Sequence, residues 1–135
     1  MMRKQGSFTP LLKGNNYTID FTPINKALSG NRGFTDMDAV SEINGSLLMI
    51  EWKNGNAPLP RGQEILFESF IGKNQDSTKF HLGLCVWGNH TKMSVHRVKM
   101  WFKKEGKLQV DERPATMESL QGIISRWETI VDKSL

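Results

Sequence analysis

The dipeptide Asn44-Gly45 constrains the fold of this chain more than any other feature, because it predicts how two extended segments pair. Asn-Gly between apolar-rich extended runs is the strongest short-range signal for a β-hairpin, since both residues tolerate the positive φ angles of a type I′ turn. With these two residues as the turn, Ile43 faces Ser46, and pairing proceeds outward from there one residue at a time. The sequence therefore predicts two antiparallel strands, near residues 37–43 and 47–53.

This register brings charged side chains together at the open end of the hairpin. It places Asp38 opposite Glu51, and two residues further out it places Asp36 opposite Lys53. Facing residues project from one side of a sheet with their Cβ atoms about 4.5–5.5 Å apart, and like charges there repel each other. Lys53 shares a face with Glu51, because alternate residues of a strand point the same way. The pattern predicts a metal ion between the two carboxylates, with an ammonium group beside it.

A hairpin on the surface, with its charges in water, is the simpler interpretation of these residues. The second strand argues against it, because its other residues are apolar on both faces, as in a strand inside a sheet: Leu47, Leu48, Met49, Ile50 and Trp52. Carboxylates and lysines are rarely buried in such a strand unless they are paired or bind a metal. We therefore favour the functional interpretation.

Length and composition set the class of protein. The 135 residues predict a single domain over 1–135, in which 1–15 form a loosely ordered lead-in, and 38% hydrophobic with 24% charged residues is typical of a soluble globular protein. No apolar run is long enough to span a membrane, and the first residues are not followed by a signal-peptide core, so we expect a cytoplasmic protein. A lone cysteine, Cys85, excludes an intramolecular disulfide, and its apolar neighbours predict a core thiol.

The net charge of +4 and the pI of about 9.3 suit a polyanionic partner. Six basic residues are concentrated in one segment: Lys92, Arg97, Lys99, Lys103, Lys104 and Lys107. Because Met100, Trp101 and Phe102 lie among them, the segment mixes aromatic and basic groups as nucleic-acid-binding surfaces do, and we expect it to hold a sugar-phosphate backbone. A solvated edge strand protected by lysines explains the pattern about equally well.

The remaining pattern predicts an α/β fold with a mixed sheet. Pro60 suits the first turn of a helix that runs to about Ile71, where Gly72 ends it. Further strands are predicted near 79–87, 93–102 and 107–110. Thr116 is a plausible N-cap for a last helix, whose apolar stripe consists of Met117, Leu120, Ile124, Trp127 and Val131.

The helix after Pro60 carries a glutamine on its apolar face. Gln63 shares that face with Leu66, Phe67 and Phe70, at spacings of three and four residues. Gln63 either lies at the rim of the packed surface or reaches back over the predicted metal site, since the helix begins a few residues after Lys53.

An acidic residue, a hairpin, an apolar-Glu-x-Lys strand and a helix with glutamine together resemble the PD-(D/E)xK nuclease superfamily. Within it, the nearest likeness is to VRR-NUC domains and archaeal-type Holliday junction resolvases, over roughly residues 30–72. The resemblance implies a central mixed sheet flanked by helices, the restriction-endonuclease-like core. It implies that Asp38, Glu51 and the backbone carbonyl of Trp52 bind Mg²⁺ or Mn²⁺, that Lys53 positions or activates water, and that Gln63 corresponds to the family's helix glutamine.

Two points depart from a simple match. Asp36 is the alternative first ligand, since Gly33-x-x-Asp36 also fits a VRR-NUC-like motif. Many relatives add a glutamate from an N-terminal helix, whereas this chain has no acid before Asp20, so either Asp20 substitutes or the site works with fewer ligands.

The resemblance implies a metal-dependent DNA endonuclease that hydrolyses phosphodiester bonds, with selectivity for junctions, flaps or nicks. By analogy with resolvases it implies a homodimer, and the compact basic composition suggests a phage or mobile-element protein in a host cytoplasm. The absent N-terminal glutamate favours a second function, a catalytically silent nucleic-acid-binding module of the same fold. A third is an interaction factor that acts on a partner enzyme through its charged hairpin.

Overall fold

The structure is a computed structural model that describes residues 21–30, 32, 34–35 and 37–133. The chain divides into two compact units, residues 1–34 and 35–135. In the first unit a single-turn helix, α1 (Thr22–Asn25), has a proline in its first turn. The side chain of Asn25 accepts a hydrogen bond from the amide of Phe34 at 3.0 Å, and the rings of Phe21 and Phe34 lie 6.2 Å apart.

The second unit is an α/β structure built on a five-stranded mixed sheet. Its elements are β1 (Ala39–Ile43), β2 (Ser46–Asn54), α2 (Arg61–Gly72), β3 (Leu82–Asn89), β4 (Ser94–Lys104), β5 (Lys107–Pro114) and α3 (Met117–Asp132). The strands lie side by side in chain order; β2 and β3 are parallel, and the other neighbours are antiparallel. The predicted α/β class and mixed sheet are confirmed. No helix within 37–133 is long and apolar enough to cross a bilayer.

The predicted hairpin is confirmed in type and register. Asn44 and Gly45 both have positive φ angles, 53° and 87°, and Ile43 pairs with Ser46. The carboxylate of Glu42 accepts a hydrogen bond from the Gly45 amide at 2.7 Å, which adds a local contact to the turn.

Two apolar clusters lie on opposite faces of the sheet, and each is covered by one helix. Side chains from alternate positions of β2 and β3, such as Leu48 and Leu84, pack with α3 through Trp127. The intervening positions, such as Met49, pack with α2 through Phe67. This alternation explains why β2 is apolar on both faces, and it assigns each strand residue to the α2 face or the α3 face.

Gly83 lets α2 pack closely on the centre of the sheet. A Cβ atom at this position would lie 2.5 Å from the ring of Phe67 and 3.0 Å from the side chain of Ile71. Both side chains are almost completely buried. The close approach of helix and strand therefore requires glycine at this position.

The helices confirm part of the predicted stripes. Thr116 forms a capping box with Ser119 at the start of α3. In α2 the buried residues are Gln63, Phe67 and Ile71, whereas Phe70 is 39% exposed and lies 4.6 Å from the ring of His81. The predicted place of Phe70 in the sheet-facing stripe is therefore wrong, because successive i, i+4 positions define the inward face of this short helix.

Candidate active site

Asp38 lies one residue before β1, and its carboxylate reaches the neighbouring strand. The hairpin ladder ends where Ala39 pairs with Ile50. Beyond that pair, Asp38 Oδ2 accepts a hydrogen bond from the backbone amide of Trp52 at 2.7 Å. The predicted regular pairing of Asp38 with Glu51 is therefore replaced by a side-chain contact one residue further along β2. Asp38 is nevertheless held beside Glu51, at the end of the sheet where β2 ends.

The backbone of Trp52 presents a second oxygen on the same side of the strand. In an antiparallel arrangement the N–H and C=O of one residue point towards the same neighbour. Because the N–H of Trp52 points towards Asp38, its carbonyl oxygen also points towards that edge of β2 rather than towards β3. The strand thus directs a neutral oxygen to the side on which the Asp38 carboxylate lies.

Glu51 is a buried carboxylate with one oxygen that lacks a protein partner. Its residue surface is 5% exposed, and its Oε2 lies 3.2 Å from Nζ of Lys53. Its Oε1 is buried and has no hydrogen-bond partner among the residues that the structure describes. A buried carboxylate oxygen without a partner is costly, and such groups are usually satisfied by water or an ion.

The oxygen donors at this point suit a hard divalent cation. Mg²⁺ takes oxygen ligands and commonly binds through one or two carboxylates while it keeps several waters. Asp38, Glu51 and the Trp52 carbonyl supply two anionic groups and one neutral group. No cluster of three or more His, Cys, Asp or Glu side chains that could hold a metal occurs within the described part of the chain. The alternative ligand Asp36, and Asp20, lie outside the described residues.

Gln63 lies on the same side of the sheet as Glu51. It is 8% exposed in the first turn of α2, in line with Phe67 and Ile71. Those two residues pack against Cys85, which pairs with Glu51 in the β2–β3 register. The first turn of α2 therefore covers the face that carries Glu51, and Gln63 is a buried part of the helix–sheet contact.

Cys85 is a core thiol, as its sequence context predicts. It is fully buried, and burial, followed by the nearby negative charge of Glu51, raises the pKa of the thiol to about 12. A thiol with this pKa is protonated at neutral pH and is a poor nucleophile.

The basic segment does not form the surface that its sequence suggests. β4 lies between β3 and β5, so the interpretation as an edge strand is wrong. The aromatic part of the nucleic-acid interpretation is also wrong, because Met100 and Trp101 are buried and Trp101 stacks on Phe67 with ring centroids 4.6 Å apart. Both interpretations failed because alternate residues of an interior strand point to two different helices.

The six basic residues are spread along the whole length of β4. Lys92 lies before the strand, whereas Lys104 and Lys107 lie at its far end. An 11-residue strand spans roughly 35 Å, so Lys92 does not form one patch with Lys104 and Lys107. Lys103 donates a hydrogen bond from Nζ to the carbonyl of Asn74 at 2.7 Å, also towards the far end of the sheet.

Arg97 and Lys99 are the basic residues of this segment that lie on the face of Glu51 and level with Glu51 and Lys53 across the sheet. Lys99 pairs with Cys85, which pairs with Glu51, and Arg97 pairs with Trp87, which pairs with Lys53. Three residues paired across neighbouring strands share one face, so Lys99 lies two strands, or about 10 Å, from Glu51.

Acidic residues that the sequence interpretation missed accompany both cations. Arg97 forms an ion pair with Glu112, and its guanidinium lies 3.6 Å from the ring centroid of Trp87. Lys99 pairs with Glu64 of α2 at 3.2 Å. The spacing of three residues between Arg61 and Glu64 could have revealed a helical ion pair, whereas the pairing with Lys99 depends on the packing of α2 against the sheet.

Comparisons with family models, curated proteins and solved structures found no match in any of the three. No family is assigned to the chain on this basis, and the resemblance to PD-(D/E)xK nucleases remains an expectation.

Proposed function

We propose that this protein is a metal-dependent deoxyribonuclease that hydrolyses phosphodiester bonds at the end of the sheet where β2 ends. The observation that carries the proposal is the buried Glu51 carboxylate, whose Oε1 lacks a protein partner within the described residues and whose Oε2 contacts Lys53. The order of the elements also supports it, since the hairpin is followed by a helix and by further strands of one mixed sheet, which is compatible with the resemblance. The proposal includes a restriction-endonuclease-like core and a homodimer.

Asp38, Glu51 and the Trp52 carbonyl would hold the cation. A bound Mg²⁺ or Mn²⁺ would polarise a phosphate oxygen and make a nearby water more acidic. Asp38 is fixed for this task by its hydrogen bond to the Trp52 amide, and Glu51 is fixed by its burial in the sheet. Ligands held by rigid strands need little reorganisation before the reaction.

Lys53 supplies the positive charge nearest to the carboxylates. Its side chain is 18% exposed, so its ammonium can contact Glu51 and also reach a substrate at the surface. An ammonium at this position donates hydrogen bonds to phosphate oxygens, stabilises the negative charge that develops during attack, and orients the attacking water. The sequence-independent attraction to the backbone comes from basic residues on the same face, chiefly Arg97 and Lys99.

The proposal is tested by cleavage of a labelled DNA panel: supercoiled plasmid, single strand, duplex, flap and four-way junction. Cleavage is expected with Mg²⁺ or Mn²⁺ and not with EDTA, and the preferred substrate would define the structure selectivity. Glu51→Gln removes a ligand charge and should abolish cleavage, and Lys53→Met should slow it by about a hundredfold or more. DNA binding should remain in both variants.

Glu68→Gln is the matched control. It removes one carboxylate from the exposed side of α2, where Glu68 pairs with Arg61 at 3.3 Å, and should leave the cleavage rate close to that of the wild type. Cleavage by Glu51→Gln at the wild-type rate would contradict the proposal.

A second candidate function is a nucleic-acid-binding module of this fold without turnover. One observation favours it: within the described residues only two carboxylates lie at the site, and Lys53 already neutralises one of them. This candidate predicts salt-sensitive DNA binding that is indifferent to Mg²⁺, and no cleavage with any metal.

A further inference from the structure

Glu64 lies between two cations at the start of α2. Its Oε1 lies 2.6 Å from Nη1 of Arg61, and its Oε2 lies 3.2 Å from Nζ of Lys99. The two oxygens therefore contact different cations, one from the helix and one from the sheet. These contacts lower the pKa of Glu64, chiefly through the hydrogen bond from Arg61 and then through that from Lys99, so the carboxylate is ionised at neutral pH.

Two cations that converge on one anion form an anion-binding site that the protein itself fills. Arg61 is well exposed, with 64% of its side chain accessible, and Lys99 and Glu64 are each about one quarter exposed. An anion from solution can therefore reach the two cations once Glu64 moves away. An ion pair as exposed as this contributes little to stability, so its exchange for another anion costs little.

The position of Lys99 relative to Glu51 indicates which anion would bind to Arg61 and Lys99. Lys99 shares a face with Glu51 and lies two strands away, which is about 10 Å at the usual strand spacing. The rise per nucleotide is about 3.4 Å along the duplex axis and the backbone also winds around that axis, so phosphates only one or two nucleotides apart on one strand are separated by about this distance. A backbone whose scissile phosphate lies at Glu51 thus brings a later phosphate to Lys99.

We infer that Arg61 and Lys99 form a subsite for a nucleic-acid backbone phosphate, and that Glu64 occupies this subsite in the free protein. The inference rests on the proposed function, because it takes its substrate and direction from the site at Glu51. Phosphate accepts hydrogen bonds from guanidinium and ammonium groups more fully than a carboxylate does, since it presents more charged oxygens. Glu64 therefore limits the affinity for DNA, and its removal frees Lys99 and leaves Arg61 paired with Glu68 alone.

The test measures the affinity of a fluorescein-labelled DNA duplex by fluorescence anisotropy, in EDTA and over a series of NaCl concentrations. Glu64→Gln should bind about three- to tenfold more tightly than the wild type at low salt. The slope of log affinity against log salt should become steeper by about one, because one more phosphate is neutralised, so the advantage falls about three- to fourfold between 50 and 200 mM salt.

Glu68→Gln separates this effect from a change in net charge. It alters the charge by the same amount on the same helix, and Glu68 contacts Arg61 at 3.3 Å but, within the described residues, forms no ion pair with Lys99. The inference predicts a smaller gain in affinity for this variant. Adding Lys99→Gln to Glu64→Gln should cancel most of the gain, and Lys99→Gln alone should weaken binding.

A purely structural ion pair gives the opposite set of results. In that case Glu64→Gln lowers the midpoint of urea unfolding and binds DNA no more tightly than the wild type or Glu68→Gln, which would overturn the inference. Cleavage of the same duplex by the wild type in Mg²⁺, measured in parallel, decides the proposed function separately. A gain in affinity without cleavage supports the phosphate subsite and favours the silent binding module.

Discussion

Replacement of Lys53 by methionine leaves a buried carboxylate without its cation, and the cost of this change can be worked from the structure. Glu51 Oε2 lies 3.2 Å from Lys53 Nζ, and the Glu51 side chain is 7% exposed. Two unit charges 3–4 Å apart attract each other by about 4–5 kcal/mol at an effective dielectric constant of about 20. Removal of one partner from a buried pair typically costs about 3–5 kcal/mol, and since Lys53 is itself 18% exposed we expect about 3 kcal/mol.

Removal of the other member of the pair, Glu51, should lower the stability much less. In Glu51→Gln the remaining ammonium lies on a flexible stem and can move into water, so we expect a loss of about 1 kcal/mol. The double variant, in which Glu51→Gln is combined with Lys53→Met, should lie close to Glu51→Gln alone, because no buried charge remains. The order of stability identifies the carboxylate as the residue that needs a cation.

Urea titrations in EDTA give the free energy of unfolding of the wild type and the three variants, provided that each protein unfolds in one cooperative transition. Repeating the titrations in Mg²⁺ adds the second part of the prediction. A ligand that binds only the folded state stabilises it by about 2.7 kcal/mol at a hundredfold excess over Kd. The wild type and Lys53→Met should gain stability from Mg²⁺, and variants with Glu51→Gln should not.

Equal losses for Lys53→Met and Glu51→Gln would refute this reasoning, because they would show that the Glu51 carboxylate is as well solvated as the lysine. If Mg²⁺ changed the stability of all four proteins by the same amount, the metal would not bind through Glu51.

Two further predictions concern the fold. Gly83→Ala places a Cβ atom 2.5 Å from the ring of Phe67 and should destabilise the protein by about 1–3 kcal/mol in thermal or urea unfolding. Gly122→Ala, in open space on α3, should instead stabilise it by up to about 1 kcal/mol. Equal effects of the two substitutions would contradict the close packing at Gly83. His81 Nδ1 accepts a hydrogen bond from the Leu47 amide at 3.0 Å, and burial lowers the pKa of His81 from 6.5. The neutral His81 side chain therefore contributes stability above about pH 6.5, and this contribution is lost as the pH falls through the lowered pKa. His81→Gln should therefore flatten the decline in stability between about pH 7 and about pH 5, and an unchanged profile would exclude this role.

The part of the site that could be predicted from sequence is the part formed by neighbours in the chain. The turn at Asn44-Gly45 needs two positive φ angles, and once those are fixed the register of Ile43 with Ser46 follows. That register brings Asp38 to the level of Glu51 without any knowledge of the rest of the fold. Its last step was inaccurate, since Asp38 binds the Trp52 amide instead of pairing as a strand residue.

The part that could not be predicted depends on strand order and helix placement. Because β4 lies inside the sheet, Trp101 is part of the core and not of a stacking surface as expected, and no local sequence pattern indicates this. The ion pair of Glu64 with Lys99 joins residues 35 positions apart and exists only because α2 crosses the sheet at that point. Sequence patterns report local geometry, whereas these contacts follow from how distant elements pack.

The proposed function requires that Asp38 and Glu51 bind one metal ion together, and a titration of Mn²⁺ followed by electron paramagnetic resonance measures this binding. The wild type should bind Mn²⁺, Asp38→Ala and Glu51→Gln should each bind it more than about tenfold more weakly, and Glu64→Gln should bind it as the wild type does. Binding by Glu51→Gln with the affinity of the wild type, or no binding by the wild type at millimolar Mn²⁺, would contradict the account.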